Sequence, residues 1–230
     1  MILILTLISG VAWSVAYIGA IVVGVRDRTY GFPVVALAFN FAWESIYLFY
    51  SLSRTEFWLN LVWVSADAVI VLTYFIFGRS EWPILNSRAI FLAGSLFIFA
   101  CAFVIHAAFI AEFGLWAAHI YSAFLQNVLM SGLFIAMFLS RRGTRGQSIF
   151  IAISKCIGTL TQTLIFGVIH FSPLILILGI ICYLFDLIYI GLIECQNCGD
   201  GLEFTYGKII SATKESSRGV QHFSTIQADN

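Results

Sequence analysis

The hydrophobic pattern of the chain is a series of long apolar runs separated by short polar breaks. Seven runs are long enough to cross a bilayer as helices, because about 20 apolar residues span its hydrocarbon core. These runs cover residues 1–24, 34–52, 57–78, 89–110, 115–139, 148–169 and 172–194. The pattern predicts an all-α, polytopic membrane protein with seven transmembrane helices within residues 1–195. The polar segment that follows, residues 196–230, is expected to be a disordered tail.

The distribution of basic residues predicts the orientation of these helices. Ten of the 12 Lys and Arg residues lie in the tail or in the connections after the first, third and fifth helices. Arg54 lies on the opposite side, and Lys155 is expected to extend its long side chain to the nearby cytoplasmic interface. The positive-inside rule then places the C-terminus in the cytoplasm and the N-terminus outside or in the lumen.

Composition agrees with a multi-pass membrane protein, of the endoplasmic reticulum in a eukaryote or of the inner membrane in a bacterium. Hydrophobic residues make up 60% of the chain and charged residues 10%. The 12 acidic and 12 basic residues cancel, which gives no indication of nucleic-acid binding. The five cysteines do not suggest a disulfide framework, and Cys195 and Cys198 lack the further ligands of a metal site. We therefore predict no metal.

Three carboxyl groups lie within the apolar runs. Glu44 and Asp67 are each about ten residues from a helix end, or roughly 15 Å deep at 1.5 Å per residue. Asp186 is about eight residues from the cytoplasmic end of the last helix, or roughly 12 Å deep. Lipid cannot satisfy such groups, so they must face the interior of the bundle. The sequence thus predicts one polar cavity shared by all three carboxyls.

Amide and aromatic side chains lie at similar depths and complete the predicted cavity. Asn40 and Tyr47 share a helical face with Glu44. Amides in membrane helices also bond helix to helix, which is the alternative interpretation for Asn127 and Gln126. Aromatic faces can stabilise cations without quenching them. The predicted substrate-binding residues are Asn40, Tyr47, Trp63, Tyr74, Phe124, Asn127, Gln162, Phe166 and Tyr189.

A dry site with carboxyl groups suits two kinds of function. Removal from water disfavours the ionised form of a carboxyl, so a buried Glu can serve as a general acid for an alkene or epoxide and start a carbocation cyclisation. The same carboxyls could relay protons in a small proton-coupled transporter. A weak internal repeat, which aligns Asp67 with Asp186, favours the transporter. A retinal protein is disfavoured because the last helix has no Lys for a Schiff base.

A family resemblance favours the cyclase. Residues 1–195 resemble the integral-membrane terpene cyclases of fungal meroterpenoid and indole-diterpene pathways, which also have bacterial relatives. The resemblance rests on Asn40-x-x-Trp43-Glu44, on Asp67, and on Asp186 in a Phe-Asp-x-x-Tyr setting.

This resemblance implies a cyclase that needs neither metal nor cofactor. The resemblance assigns catalysis to Glu44 and Asp186. Of the three predicted catalytic carboxyls we prefer Glu44 as the proton donor, with Asp186 tuning or relaying the proton and Asp67 completing the network. The substrate of such a cyclase would be a lipid-soluble prenylated molecule, with or without a terminal epoxide. An upstream prenyltransferase and epoxidase would supply that substrate.

Overall fold

The computed structural model describes residues 1–51, 54–82 and 87–199, apart from the side chains of residues 55 and 56. These residues form helices and short connections, with no strand among them. The helices are α1 (Ile2–Arg26), α2 (Val34–Phe49), α3 (Arg54–Phe77), α4 (Arg88–Arg141), α5 (Ile149–Thr163) and α6 (Pro173–Gly199). A 3₁₀ turn, Gly78–Glu81, follows α3, and a π-helical turn, Leu164–Ile169, extends α5. The prediction of an all-α protein is confirmed for this part of the chain.

Five of these helical segments are long and apolar enough to cross a membrane. They are Ile2–Arg26, Phe57–Glu81, Arg88–Arg141, Ile149–Ile169 and Pro173–Gly199. The helix α2 is equally apolar but has only 16 residues. The predicted tail, residues 196–230, falls almost wholly outside the described residues, and its first four residues continue α6.

The helix α4 reverses its direction at Gly114. Its 54 residues would extend for roughly 80 Å if they formed one straight helix. Yet Arg141 at its end forms a 2.7 Å ion pair with Glu81, a few residues before its start. The reversal occurs at Gly114, whose φ of 72° and ψ of 164° belong to a region that only glycine occupies readily. Gly114 thus divides α4 into α4a (residues 88–113) and α4b (residues 115–141).

Three connections meet in a cluster that we call the arginine clasp, formed by Thr29, Tyr30, Glu81, Arg141 and Arg145. The Arg141 guanidinium donates to Glu81 Oε2, to Thr29 Oγ1 and to the Tyr30 carbonyl, and it lies 4.4 Å above the Tyr30 ring. Arg145 lies 3.5 Å from Glu81 Oε1. The connections after α1, α3 and α4b therefore lie at one end of the bundle.

The helices bury most of their polar residues together with an aromatic and aliphatic core, and many of their other large apolar residues face outward. The helix α1 packs against α3 and α5, while α2 packs against α3 and α4. A Cβ at Gly158 would lie 2.7 Å from the Trp13 ring, so glycine lets α5 approach α1 closely. Outward residues of α1 such as Val11 and Val22 are more than half exposed. This inside-out arrangement is expected of a bundle surrounded by lipid.

Candidate active site

Glu44 lies at the centre of a buried hydrogen-bond network contributed by three helices. The helix α2 places Asn40 one turn before Glu44, and Tyr17 of α1 faces both. The Tyr17 hydroxyl donates to Glu44 Oε1, and Asn40 Nδ2 donates to Glu44 Oε1 at 3.2 Å and to the Tyr17 hydroxyl at 2.6 Å. Glu44 is only 2% exposed, and its Oε2 has no hydrogen-bond partner among the described residues. Neutral groups of Tyr17 and Asn40 thus hold one oxygen of this carboxyl, and the Asp67 carboxyl lies close enough to interact with it directly.

Asp67 of α3 lies behind this network. Asn40 Nδ2 donates to Asp67 Oδ2 at 2.8 Å, so one amide links the two carboxyl groups. Asp67 is fully buried and is absent from the wall of the cavity described next. The structure therefore brings Asp67 close to Glu44, as predicted, but places Asp67 behind Asn40 and Glu44 and not on the cavity wall.

A cavity of about 550 Å³ opens beside Glu44, between α1, α2, α3, α4b and α5. Its wall is mainly aromatic and aliphatic, and it contains seven of the residues predicted from the sequence. These are Asn40, Glu44, Trp63, Phe124, Asn127, Gln162 and Phe166. The Asn127 amide donates to Thr159 Oγ1 at 2.8 Å, and its Oδ1 has no hydrogen-bond partner among the described residues. One predicted carboxyl and six predicted binding residues thus meet at one site.

Three predicted aromatic residues are not on the wall of this cavity. Tyr47 packs against Trp43 and His119, with ring centroids 5.1 and 4.6 Å away. The Tyr74 hydroxyl bonds to Ser95 Oγ at 2.8 Å. The Tyr189 hydroxyl donates to Gln147 Oε1 at 2.8 Å. All three are buried, but none lines the cavity, so their predicted place on its wall was wrong.

Asp186 does not share the cavity, which corrects a second prediction. Its Oδ1 accepts a 2.7 Å hydrogen bond from Lys155 Nζ, and Lys155 also donates to Ser131 Oγ. Asp186 and Lys155 are each only 1% exposed, and neither is on the cavity wall. The expectation that Lys155 extends to the cytoplasmic interface was also wrong. The ammonium of Lys155 turns inward because α6 offers it a carboxyl.

The sequence reasoning missed the contribution of α1. Ser9, Trp13 and Tyr17 all line the cavity, and their spacing of four residues puts them on one face of the helix. That spacing was the signal that could have identified them, since a Ser, a Trp and a Tyr interrupt an otherwise aliphatic run. Trp43, part of the motif Asn40-x-x-Trp43-Glu44, and His119 also line the cavity, with ring centroids 4.7 Å apart.

His106 lies away from the cavity and contacts the backbone of α2. Its Nε2 lies 3.1 Å from the Phe39 carbonyl, and its ring is buried between α2 and α4a, away from the cavity wall.

Comparison with known proteins identifies relatives along most of the chain. The family model of the Pyr4-like transmembrane terpene cyclases matches residues 1–194. The Pyr4-family terpene cyclase mfmH of Annulohypoxylon moriforme is 33% identical over 171 residues, which are 70% of this chain and 68% of that protein. The terpene cyclase pyr4 of Aspergillus fumigatus is 27% identical over 209 residues, 80% of this chain and 82% of that protein.

A third relative has a name that states its product. The asnovolin H synthase nvfL of Aspergillus novofumigatus is 28% identical over 162 residues, which are 67% of this chain and 65% of that protein. No solved structure matches the chain significantly.

Proposed function

The chain belongs to the family of Pyr4-like transmembrane terpene cyclases, and on this premise we propose that Glu44 protonates the end of a prenyl chain to start its cyclisation. The observation that carries the proposal is the position of the Glu44 carboxyl, which is 2% exposed yet lies on the wall of an aromatic cavity. A general acid must be within reach of the atom it protonates. Glu44 is the acidic residue on that wall, among the described residues.

The reaction can be written with the groups of this site. The Glu44 proton passes to the oxygen of a terminal epoxide, the bond from that oxygen to the more substituted carbon breaks, and the next alkene attacks this carbon. With a plain alkene the proton is added to carbon instead. Loss of a proton from the last cation returns one proton and ends the cyclisation. Trp13, Trp63 and Phe124 on the wall offer π faces to the intermediate cations.

The two remaining carboxyl groups have different supporting roles in this proposal. Asp67 helps to hold Glu44 in position, both through Asn40, which donates to both carboxyls, and by its direct interaction with Glu44. Asp186 supports the site from a distance, because its ion pair with Lys155 joins α5 to α6 and, through Ser131, to α4b. We therefore assign proton donation to Glu44 and not to Asp186.

The cavity also supports the proposed class of substrate. No Lys or Arg lies on its wall, among the described residues, so an anionic group such as a diphosphate would find no counter-charge there. An uncharged, lipid-soluble prenylated molecule fits this wall. A prenyltransferase reaction, and an epoxidation where the epoxide is the substrate, must supply it.

We propose that the chain crosses the membrane seven times, with its N-terminus outside or in the lumen. In support, the arginine clasp joins the connections after α1, α3 and α4b at one end of the bundle. Such a grouping requires α2 to cross and α4 to cross twice. The clasp carries two arginines, so the positive-inside rule assigns its end to the cytoplasm.

The helices that carry Glu44 and Asp67 do not favour the transporter alternative. Transport sites in membranes are commonly built where helices are interrupted. The helices α2 and α3 are continuous around Asn40, Glu44 and Asp67.

An isotope experiment tests the proposed reaction. Membranes containing the full chain would receive a farnesyl phenol or its terminal epoxide in deuterated water, with membranes lacking the chain as control. Cyclised product with deuterium on carbon indicates alkene protonation, and cyclised product without that label indicates epoxide opening. If neither compound is cyclised in any amount above the control, protonation of such a prenyl chain is refuted.

A further inference from the structure

The exposed residues of the cavity wall all lie at one end of the bundle. Five wall residues are exposed to the surroundings, and we call them the mouth: Ile2, Thr6, Leu59, Trp116 and His170. Ile2 and Thr6 begin α1, Leu59 and Trp116 lie near the starts of α3 and α4b, and His170 follows the π-helical turn after α5. Each of these positions is the end of its helix that lies away from the arginine clasp. The cavity therefore opens opposite the clasp.

The other end of the cavity is more deeply buried. On α1, α2 and α4b the wall residues nearest the clasp are Tyr17, Asn40 and Met130, each at most 6% exposed, and on α3 and α5 they are Trp63 and Gln162, both partly buried. Below them Phe32 and Phe134, both inaccessible, pack edge to face at 5.4 Å, and the Phe32 ring lies 5.7 Å from that of Tyr17. These two rings separate the cavity from the clasp. The cavity is thus a blind pocket, and Glu44 lies one turn above its floor.

The two ends of this pocket also differ in what they can accept. The floor is reached only through a largely apolar and aromatic passage, where a polar group would lose its water without compensation. The mouth lies near the membrane surface, where Trp116 and His170 combine an apolar ring with a polar nitrogen. A molecule with an apolar chain and an uncharged polar head therefore binds most favourably with its chain at the floor and its head at the mouth.

From this geometry we infer that the substrate enters tail first through the mouth, opposite the arginine clasp, so that its last isoprene unit meets Glu44 and its uncharged polar head group stays at the mouth. The inference rests on the proposed function, because it takes a prenylated molecule as the ligand. It adds the direction of binding and the side of access. With the clasp in the cytoplasm, the substrate arrives from the outer or lumenal half of the membrane.

Two matched photoreactive probes test this direction. One is a farnesyl phenol with a diazirine on the phenol ring, and the other carries the diazirine on its last isoprene unit. Each is irradiated in membranes containing the full chain, and the modified residues are identified by mass spectrometry. We expect the ring probe to modify residues 2–6, 116–120 and 166–170, and the tail probe to modify residues 17, 40–44 and 126–130. Excess farnesyl phenol without a diazirine should suppress modification by both probes.

Two tryptophan variants give a matched control. Trp116→Ala should lower the yield of the ring probe several-fold and leave the tail probe almost unchanged. Trp58, on α3, is exposed like Trp116 but is absent from the cavity wall, so Trp58→Ala should change neither yield.

A reversed pattern, with the ring probe at the floor, would overturn the inference, and so would modification confined to lipid-facing residues such as Val11 and Val15. Failure of the proposed function is visible separately, as absence of cyclised product from the epoxide, whatever the pattern of modification.

Discussion

Glu44 and Asp186 are equally buried but have opposite surroundings. Glu44 accepts hydrogen bonds from the neutral groups of Tyr17 and Asn40 and lies on the wall of a cavity. Asp186 is paired with the ammonium of Lys155 at 2.7 Å and does not line that cavity. Burial alone therefore does not identify an acid that can give up a proton. The partner of the carboxyl and its access to a ligand decide between chemistry and structure.

The largest expected effect is the loss of activity in Glu44→Gln. The amide keeps the shape of the side chain but has no acidic proton, so we expect cyclisation to slow by about 10²- to 10⁴-fold. The amount of folded protein in membranes should stay near that of the parent. Product formation per folded molecule measures the effect, and Glu112→Gln, at an exposed position of α4a, is the control. An unchanged rate in Glu44→Gln would remove Glu44 from the role of donor.

Asp186→Asn should act on stability instead. It leaves the Lys155 ammonium buried without its counter-charge, which typically costs about 3–5 kcal/mol. We expect a large fall in the amount of folded protein and in its thermal midpoint in detergent. The double variant Lys155→Met/Asp186→Leu replaces the pair by apolar groups and should recover both. If the double variant folds well but remains inactive, Asp186 takes part in the chemistry and the contrast with Glu44 fails.

Tyr17→Phe tests the support of Glu44 by one hydrogen bond. The loss should cost about 1 kcal/mol of stability and should lower the turnover rate more than substrate affinity, because Tyr17 fixes the carboxyl that reacts. Tyr74→Phe removes a hydroxyl that bonds to Ser95 and Trp82 instead. It should cost similar stability and leave turnover unchanged. Equal loss of turnover in the two variants would show that Tyr17 has no particular role at Glu44.

The smallest effect concerns the carboxyl of Asp27, which lies outside the membrane-spanning segments. Hydrogen bonding from Arg26 lowers the pKa of Asp27, against the opposing effect of partial burial, and the Gly146 amide also donates to it at 2.8 Å. Asp27 therefore contributes stability that is complete above its unfolded value of about 4 and is lost as the pH falls through its lower folded value.

Thermal unfolding in detergent across that range of pH measures the contribution of Asp27, which should be below about 1 kcal/mol. Asp27→Asn should make the stability of the protein less dependent on pH there. Equal acid destabilisation of the parent and the variant would contradict this role for Asp27.

The depth of each residue in the membrane, estimated from its position along a helix, was enough to identify the buried carboxyl groups but not their partners. Glu44 and Asp67 were placed together because both lie near the middle of their helices, and the structure joins them through Asn40. Depth does not give the rotation of each helix about its axis, and that rotation separates Asp186 from the cavity. Lys155, Thr159 and Gln162 share a face of α5, so the inward direction of Lys155 was present in the spacing but was outweighed by its position near a helix end.

The aromatic residues illustrate the same limit. Trp63, Phe124 and Phe166 reach the cavity, whereas Tyr74 and Tyr189 do not. A tyrosine in a membrane bundle needs a partner for its hydroxyl. For Tyr74 and Tyr189 those partners are Ser95 and Gln147, and both lie elsewhere in the bundle. Such pairings depend on contacts between distant segments, which a single sequence does not reveal.

The ion pair between Lys155 and Asp186 also bears on how the chain enters the bilayer during synthesis. An unpaired charge within a membrane-spanning helix is costly to insert into lipid, and Lys155 leaves the ribosome before its counter-charge on the next helix. We expect the nascent α5 to wait beside the insertion machinery until α6 emerges, so that the two partition into lipid as one neutral hairpin.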